Sequence, residues 1–198
     1  MRILFFADLH QDYQAITHIQ SQLHKVDYAF GLGDFASFGR GLQDTLTPLD
    51  VGIDVYLLPG NHDPVEELKL LCASHDSFHY FHGEQVSLGK MTFAGFGGGL
   101  PGLPFGVSED QVRLLLSRFY GIEHLILCTH TPPYGTVVDR TWGGNHIGYH
   151  GLRDFVLENQ PKAVYSGHVH ECEGTTDTLG ETHLSVVGPN GLIVTITT

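Results

Sequence analysis

Five short apolar runs along the chain each end in polar residues that can bind metal ions. The runs cover residues 3–7, 28–32, 55–58, 125–128 and 163–165. They lead into Asp8-Leu9-His10, Gly33-Asp34, Gly60-Asn61-His62-Asp63, Thr129-His130 and Gly167-His168-Val169-His170. Short apolar runs bounded by turn residues are typical of buried strands, and ligands of open α/β sheets bind at the carboxyl ends of the strands. The pattern therefore predicts that these Asp, Asn and His side chains gather at one edge.

Helical spacing of apolar residues separates the first three runs. Residues 12–25 carry Tyr13, Ile16, Ile19 and Leu23 with polar residues between them, which predicts an amphipathic helix. A second helix is predicted over residues 41–49, and a third follows Pro64 over residues 65–73. The order β-α-β-α-β implies parallel strands joined by right-handed crossovers.

The second half of the chain is richer in strands. Residues 78–88 and 91–96 predict a hairpin around Gly89-Lys90, residues 95–106 an irregular loop, and residues 112–119 and 152–159 helices, the first behind a capping box at Ser108. Strands over residues 174–177, 182–187 and 192–196 are predicted to be joined by hairpin turns at Leu179-Gly180 and Asn190-Gly191. Two β-rich halves that both need helical cover predict an α/β (α+β) fold, a four-layer α-β-β-α sandwich of two mixed β-sheets, forming a single domain over residues 1–198.

Composition and charge narrow the classes of function. The chain has 198 residues, with 22 Asp and Glu against 10 Lys and Arg, and a formal net charge of −12. This balance disfavours a nucleic-acid partner, since binding to a phosphate backbone depends on Lys and Arg. The 14 His residues supply abundant metal ligands. Three cysteines without CxxC spacing, and the lack of a signal-peptide core or a long apolar run, predict a cytoplasmic protein with no membrane partner.

The polar strand ends, in their order, resemble the signature of the calcineurin-like metallophosphoesterases. That signature reads D-x-H, G-D, G-N-H-D, an isolated His and G-H-x-H, and the resemblance runs from residue 8 to residue 170. Thr131-Pro132-Pro133 and the stretch from Gly167 to Glu171 are similar to the small Icc-type bacterial and archaeal members. One short block would carry no weight, whereas five blocks in order, each after a predicted strand, carry a great deal.

The resemblance implies a centre for two divalent transition-metal ions. By position in the motif, one ion is expected at Asp8, His10 and His170, the other at Asn61, His130 and His168, and Asp34 bridges them. A mixture of carboxylate, imidazole and amide suits Mn, Fe, Zn or Ni better than Mg or Ca. Mn is our first choice, and the native metal stays open.

The resemblance also implies a mechanism, in which a metal-bridging hydroxide attacks phosphorus and His62 donates a proton to the leaving oxygen. Many relatives continue as G-D-x-x-D, and the second Asp is the partner of the catalytic His. Here the stretch reads Gly33-Asp34-Phe35-Ala36-Ser37-Phe38, so the partner of His62 is left open. This departure disfavours a phosphoprotein substrate.

The expected function is hydrolysis of a small phosphodiester or nucleotide, and a phosphomonoesterase is the first alternative. A DNA-end nuclease comes third, and a catalytically idle metal-binding scaffold for a protein partner is the alternative from another class. The roles of His146 and His150 stay open, Arg40 and Arg140 are candidate phosphate clamps, and Cys172 is expected to be a buried thiol. Self-association into a homo-oligomer also stays open.

Overall fold

A computed structural model describes residues 1–196 as two β-sheets with helices on their outer faces. The first sheet contains β1 (Arg2–Phe6), β2 (Tyr28–Gly31), β3 (Val55–Leu57), β4 (Phe78–Tyr80) and β11 (Leu192–Thr195), in the order β11-β1-β2-β3-β4. The second contains β5 (Glu84–Leu88), β6 (Met91–Phe96), β7 (Leu125–Thr129), β8 (Ala163–Ser166), β9 (Thr176–Leu179) and β10 (Thr182–Val186), in the order β5-β6-β7-β8-β10-β9.

Both sheets are mixed, as the sequence predicts. In the first sheet β1 to β4 run parallel and β11 pairs antiparallel with β1. In the second sheet β6, β7, β8 and β10 run parallel, while β5 and β9 are antiparallel strands at its two edges. The parallel strands bring their carboxyl ends to the same side of each sheet, which is where the polar motifs lie.

The helices cover the outer faces of the sheets. They are α1 (Tyr13–Leu23), α2 (Leu42–Leu46), α3 (Val65–Ser74), α4 (Glu109–Ser117) and α5 (His150–Asn159). Asp12 caps α1 by accepting from the N–H groups of Gln14 and Ala15, and the predicted capping box of Ser108 and Gln111 is present at α4. One buried apolar cluster joins the first sheet to α1, α2 and α3, and another joins the second sheet to α4 and α5.

A third apolar cluster lies between the two sheets and holds them face to face. The ring centroids of Phe5 and Tyr165 are 4.0 Å apart, and those of Phe30 and Phe93 are 4.8 Å apart. Each pair joins one sheet to the other, and such aromatic contacts add to the free energy gained from burial alone. The predicted four-layer α-β-β-α sandwich is confirmed. Among residues 1–196, no helix has the length and apolar character needed to cross a bilayer.

Two predictions from the sequence are wrong, both where the chain passes between the sheets. Residues 78–88 do not form one strand, because the chain leaves the first sheet after β4 and enters the second at β5. At this crossing Phe81 N–H donates to the Leu57 carbonyl of the first sheet, and Gly83 N–H donates to the Gly95 carbonyl of the second. Asn190-Gly191 does not close a hairpin, because β11 pairs with β1 and not with β10. The hairpin before it, β9 to β10, is confirmed.

Candidate metal centre

The ends of β1, β2, β3, β7 and β8 meet at one edge of the sandwich, held together by backbone hydrogen bonds. Asp8 N–H donates to the Gly33 carbonyl at 2.9 Å, and Gly167 N–H donates to the His130 carbonyl at 2.9 Å. His168 N–H donates to Asp8 Oδ2 at 3.0 Å and so ties the second sheet to the first. These bonds fix the spacing between the motifs before any ion is bound.

The backbone itself turns several of the predicted ligands toward the centre. Asp8, Asp34 and His168 have φ angles of 57°, 56° and 69°, in the left-handed region that Asp and His tolerate better than bulkier residues do. Backbone strain of this kind collects at functional sites. The chain thus bends sharply just after three of the strands, at residues that face a common space.

The structure assembles two groups of side chains that could each hold a metal ion. Asp8, His10 and His170 form one, and Asp34, His130 and His168 form the other, with one ligand atom of every member within 4.8 Å of the others in its group. Asp34 Oδ2 lies 3.4 Å from His130 Nε2 and 3.7 Å from His10 Nε2. One carboxylate oxygen therefore faces both groups, as a bridging ligand would.

Asn61, the seventh predicted ligand, reaches the second group through its amide. Its Oδ1 lies 3.2 Å from His130 Nε2. Gly99, in the glycine-rich loop, packs directly on this side chain, because a Cβ at Gly99 would lie only 2.6 Å from the Cβ of Asn61. All seven predicted ligands therefore lie at one edge.

The chemistry of the donors fits cations. The Nδ1 atoms of His10 and His130 face the carbonyl oxygens of Ala36 at 3.2 Å and Leu32 at 2.8 Å, and a carbonyl can only accept. Each ring therefore carries a hydrogen on Nδ1 and turns Nε2 inward, which is the usual arrangement of a metal-binding histidine. Nε2 of His10 and Nε2 of His170 lie 3.3 Å apart. His10 Nε2 presents an electron pair to His170 Nε2, and when His170 carries its ring hydrogen on Nδ1 a cation between the two atoms would bind both.

Burial and neighbouring charge shift the protonation of this centre. Burial raises the pKa of the Asp8 carboxyl to about 8, with Asp34 and Asp63 adding to the rise. Burial also lowers the pKa of His168 to about 3, and His130 adds to that fall. For His130 itself burial disfavours charge, but Asp34 and Asp8 outweigh burial and raise its pKa. Protons thus balance the buried carboxylates, and metal ions would compete with them for the same atoms.

One side of the centre is open and the other is closed. The side chains of His10 and His170 are 24% and 59% exposed, whereas that of His130 is fully buried. A substrate must therefore approach from the side of the first group. His62 lies on that side, with its ring centroid 4.9 Å from that of His10.

The partner of His62, left open by the sequence, is a backbone group. Phe38 N–H donates to His62 Nδ1 at 3.1 Å, while the backbone of Ser37 pairs with that of Arg40. His62 N–H in turn donates to Asp34 Oδ1 at 2.8 Å. With Nδ1 accepting, the ring hydrogen lies on Nε2, which leaves that atom to donate to another group.

Asp63 holds the centre from behind, a role that reasoning from the sequence did not assign to it. It is fully buried and accepts from the N–H groups of Asp34, Ala36 and Gly60 at 2.7, 2.8 and 2.8 Å. Burial and the nearby Asp34 raise its pKa to about 7. Its position directly after Asn61-His62 was the only signal available in the sequence.

The residues whose roles stayed open lie outside both ligand groups. His146 Nδ1 is 2.7 Å from Asp139 Oδ1, and the ring of His150 stacks on Tyr134 at 3.8 Å, so both order the loop over residues 131–148. Arg40 and Arg140 are exposed. The Cys172 thiol is buried and donates to the carbonyls of Val137 and Arg140, which accounts for it without a metal.

Fold and site together define a two-sheet α/β protein with neighbouring places for two metal ions. Residues 1–172 match the family of calcineurin-like phosphoesterases, and the chain belongs to that family. The resemblance found in the motifs is thereby confirmed.

Individual proteins share sequence or fold with the chain. The chain is 26% identical over 170 residues to an uncharacterized protein of Methanocaldococcus jannaschii, covering 80% of this chain and 74% of the relative. It is 29% identical over 184 residues to a probable glycerophosphodiester phosphodiesterase, GpdQ, of Arcobacter nitrofigilis, covering 85% of this chain and 66% of the relative. A crystal structure of a Thermus thermophilus protein superposes with a TM-score of 0.70 at 17% identity, covering 96% of this chain and 90% of that one, and so shares the fold.

Proposed function

We propose that the protein is a dinuclear-metal phosphodiesterase that hydrolyses a small phosphodiester or nucleotide. The observation that carries this proposal is the position of Asp34 Oδ2 between the two ligand groups, 3.4 Å from His130 and 3.7 Å from His10. Membership of the phosphoesterase family gives the reaction class. The relative named as a probable glycerophosphodiester phosphodiesterase supports a diester over a monoester.

The residues that would hold the two ions are those of the two groups, with Asn61 added to the second and Asp34 shared. Mn²⁺ is our first choice, with Fe, Zn and Ni to be compared, because mixed imidazole and carboxylate ligands favour such ions. When bound, paired divalent ions lower the pKa of water and neutralise charge on phosphoryl oxygens. The chain contributes the fixed geometry, since buried Asp34 and His130 hold the inner face rigid.

His62 acts on the leaving oxygen. Its Nε2–H faces away from the Phe38 contact and is free to donate. A hydrogen bond from Nε2 stabilises negative charge as the ester bond breaks. Full proton transfer from the imidazolium form also requires a hydrogen on Nδ1, and for that the Phe38 N–H must release the ring. The structure of the turn thus links the proton donor to the position of residues 37–40.

Replacement of His62 by Ala tests whether this side chain donates to the leaving oxygen. We expect turnover of an alkyl diester such as glycerophosphoethanolamine to fall by about 10²- to 10⁴-fold, the size of a general-acid step. Turnover of bis-p-nitrophenyl phosphate should fall much less, because its leaving group needs no proton. His24→Ala, at an exposed histidine just after α1, is the matched control. Equal losses on both substrates would leave His62 without a donor role.

The reaction class is tested with bis-p-nitrophenyl phosphate and p-nitrophenyl phosphate, each with added Mn²⁺ and after chelation. We expect the diester to be hydrolysed faster, and both activities to vanish with the chelator and return with metal. A faster monoester reaction would identify a phosphomonoesterase. If neither ester is turned over with any of the four metals, the protein is a metal-binding scaffold instead of an enzyme.

A further inference from the structure

Phe38 presents an aromatic ring to solvent beside the candidate catalytic histidine. The ring is 77% exposed, and its centroid lies 4.4 Å from that of His62 at an interplanar angle of 70°. An apolar side chain this open gains little free energy from its own burial. The two rings instead form a corner on the open side of the metal centre.

The backbone of Phe38 is held where a phenylalanine is poorly suited. Its φ angle is 49°, in the left-handed region that glycine and asparagine adopt more readily than an aromatic residue. Non-glycine residues held in such strained backbones cluster at functional sites. The turn therefore carries a large ring at a position where a smaller residue would fit more easily.

Several backbone hydrogen bonds tie the turn to His62. Ser37 and Arg40 exchange two backbone hydrogen bonds at 3.0 and 3.1 Å, and Gly39 N–H donates to the His62 carbonyl at 2.9 Å. Together with the bond from Phe38 N–H to His62 Nδ1, these contacts fix the ring relative to the imidazole. Because the two ring centroids are 4.4 Å apart, a group that accepts from His62 Nε2 lies within reach of the Phe38 ring.

We propose that Phe38 is a specificity-determining residue, whose ring stacks on a planar aromatic group in the alcohol part of the substrate. This inference rests on the proposed function, because it places the leaving alcohol beside His62. Both an aryl ester and a nucleoside carry such a group. Stacking on an exposed aromatic side chain is tolerant of the exact ring, so either is accepted by the same surface.

Binding to the Mn²⁺-loaded protein, measured by titration calorimetry, tests the proposal without turnover. Phenylphosphonate is compared with methylphosphonate, and the methylenephosphonate analogue of AMP with that of ribose 5-phosphate, so that none of the four is hydrolysed and each pair differs in the planar ring. We expect wild type to prefer the aromatic member of at least one pair by about 5-fold or more. The pair that shows the preference tells an aryl group from a nucleobase.

The variants assign that preference to Phe38. Phe38→Asn suits the left-handed backbone and removes the ring, and Phe38→Leu keeps an apolar side chain without a planar face; both should reduce the preference below 2-fold. Phe38→Tyr should retain it, and Leu114→Ala, at a 70% exposed site on α4, should leave it unchanged. Metal stoichiometry shows which variants remain folded. If Phe38→Asn does not fold, the ring preference of Phe38→Leu decides the question.

Two outcomes would overturn the proposal. One is a wild-type protein with no preference in either pair, and the other is a preference that persists in a folded Phe38→Leu or Phe38→Asn variant. Failure of the proposed function would look different, because a protein without turnover could still show the ring preference in calorimetry. The two ideas therefore stand or fall on separate measurements.

Discussion

The metal-ligand cluster and the loops around it are held in place by different kinds of contact. In the cluster, side chains are fixed by the backbone of neighbouring strand ends, as in the 2.8 Å contact between His130 Nδ1 and the Leu32 carbonyl. In the loops, buried side chains hold the backbone, as when the Tyr149 hydroxyl donates to the Gly99 carbonyl at 2.5 Å. Contacts made by backbone groups depend on the fold and persist when side chains are replaced. Contacts made by side chains can be gained or lost through the substitution of a single residue. The first region therefore sets the chemistry, and the second is where substrate preference can vary.

The largest expected effect comes from Asp34, because its Oδ2 faces both ligand groups. In Asp34→Asn the Oδ1 that accepts from His62 N–H can be kept, while the shared anionic oxygen is lost. We expect a fall in turnover of about 10³-fold, since several kcal/mol of charge stabilisation at ~1.4 kcal/mol per factor of ten would be removed. Elemental analysis should show less than the wild-type complement of metal.

Asp44→Asn, in the first turn of α2, is the matched control and should change neither quantity. If Asp34→Asn kept full metal content and turnover, the two groups would be independent, and the contrast between a rigid shared cluster and adaptable loops would fail.

The next effect is on folding and comes from Asp63. Asp63→Ala leaves the buried N–H groups of Asp34, Ala36 and Gly60 without an acceptor, at a cost of ~1 kcal/mol or more for each. We expect the free energy of unfolding to fall by roughly 3 kcal/mol, as measured by denaturant titration of the metal-free protein. Asp76→Ala, at an exposed turn, should stay within ~0.5 kcal/mol of wild type. A small loss in Asp63→Ala would mean that water replaces the carboxylate.

The strand ends could be predicted from the sequence because they depend on local patterns. Each apolar run is short and stops at a turn-forming or polar residue, namely Asp8, Gly33, Pro59, Thr129 or Ser166. The parallel order of β1 to β4 follows from the helices between the strands. The assignment of ligands to two ions came from the resemblance to the phosphoesterase family, and the structure brings these side chains together in two groups. Local composition was sufficient wherever neighbours in sequence are also neighbours in the sheet.

The remaining features depend on contacts between distant segments and could not be predicted in this way. β11 completes the first sheet although the strand before it, β10, lies in the second, and an Asn-Gly pair gives no sign of such a crossing. His62 is bonded by the backbone N–H of Phe38, where many relatives have a carboxylate. A backbone group is the same in every residue type, so the sequence does not indicate this contact. Asp139 likewise accepts from Gly135, Thr136 and Gly148 only once the long loop has closed.

The smallest effect expected on the centre tests a side-chain anchor of the loops. The buried Tyr149 hydroxyl donates to the carbonyls of Gly99 and Val107, and Gly99 packs on Asn61. Tyr149→Phe removes these bonds, so we expect a loss of ~1 kcal/mol in the free energy of unfolding. Metal affinity should fall by no more than about 10-fold, the lower range for an outer contact that orients a ligand, as measured by metal titration.

Tyr120→Phe supplies the control for this change, since the Tyr120 hydroxyl bonds Glu158 at the surface and the residue is 50% exposed. It should alter neither stability nor metal affinity by a measurable amount, because hydroxyl groups exposed to water exchange one partner for another. If Tyr149→Phe behaved like Tyr120→Phe, the loop over residues 97–107 would not depend on its side-chain anchor. A drop in metal affinity as large as that of Asp34→Asn would give a different result. It would mean that Asn61 depends entirely on the loop that Tyr149 holds, so that Tyr149 would count as part of the metal-ligand cluster.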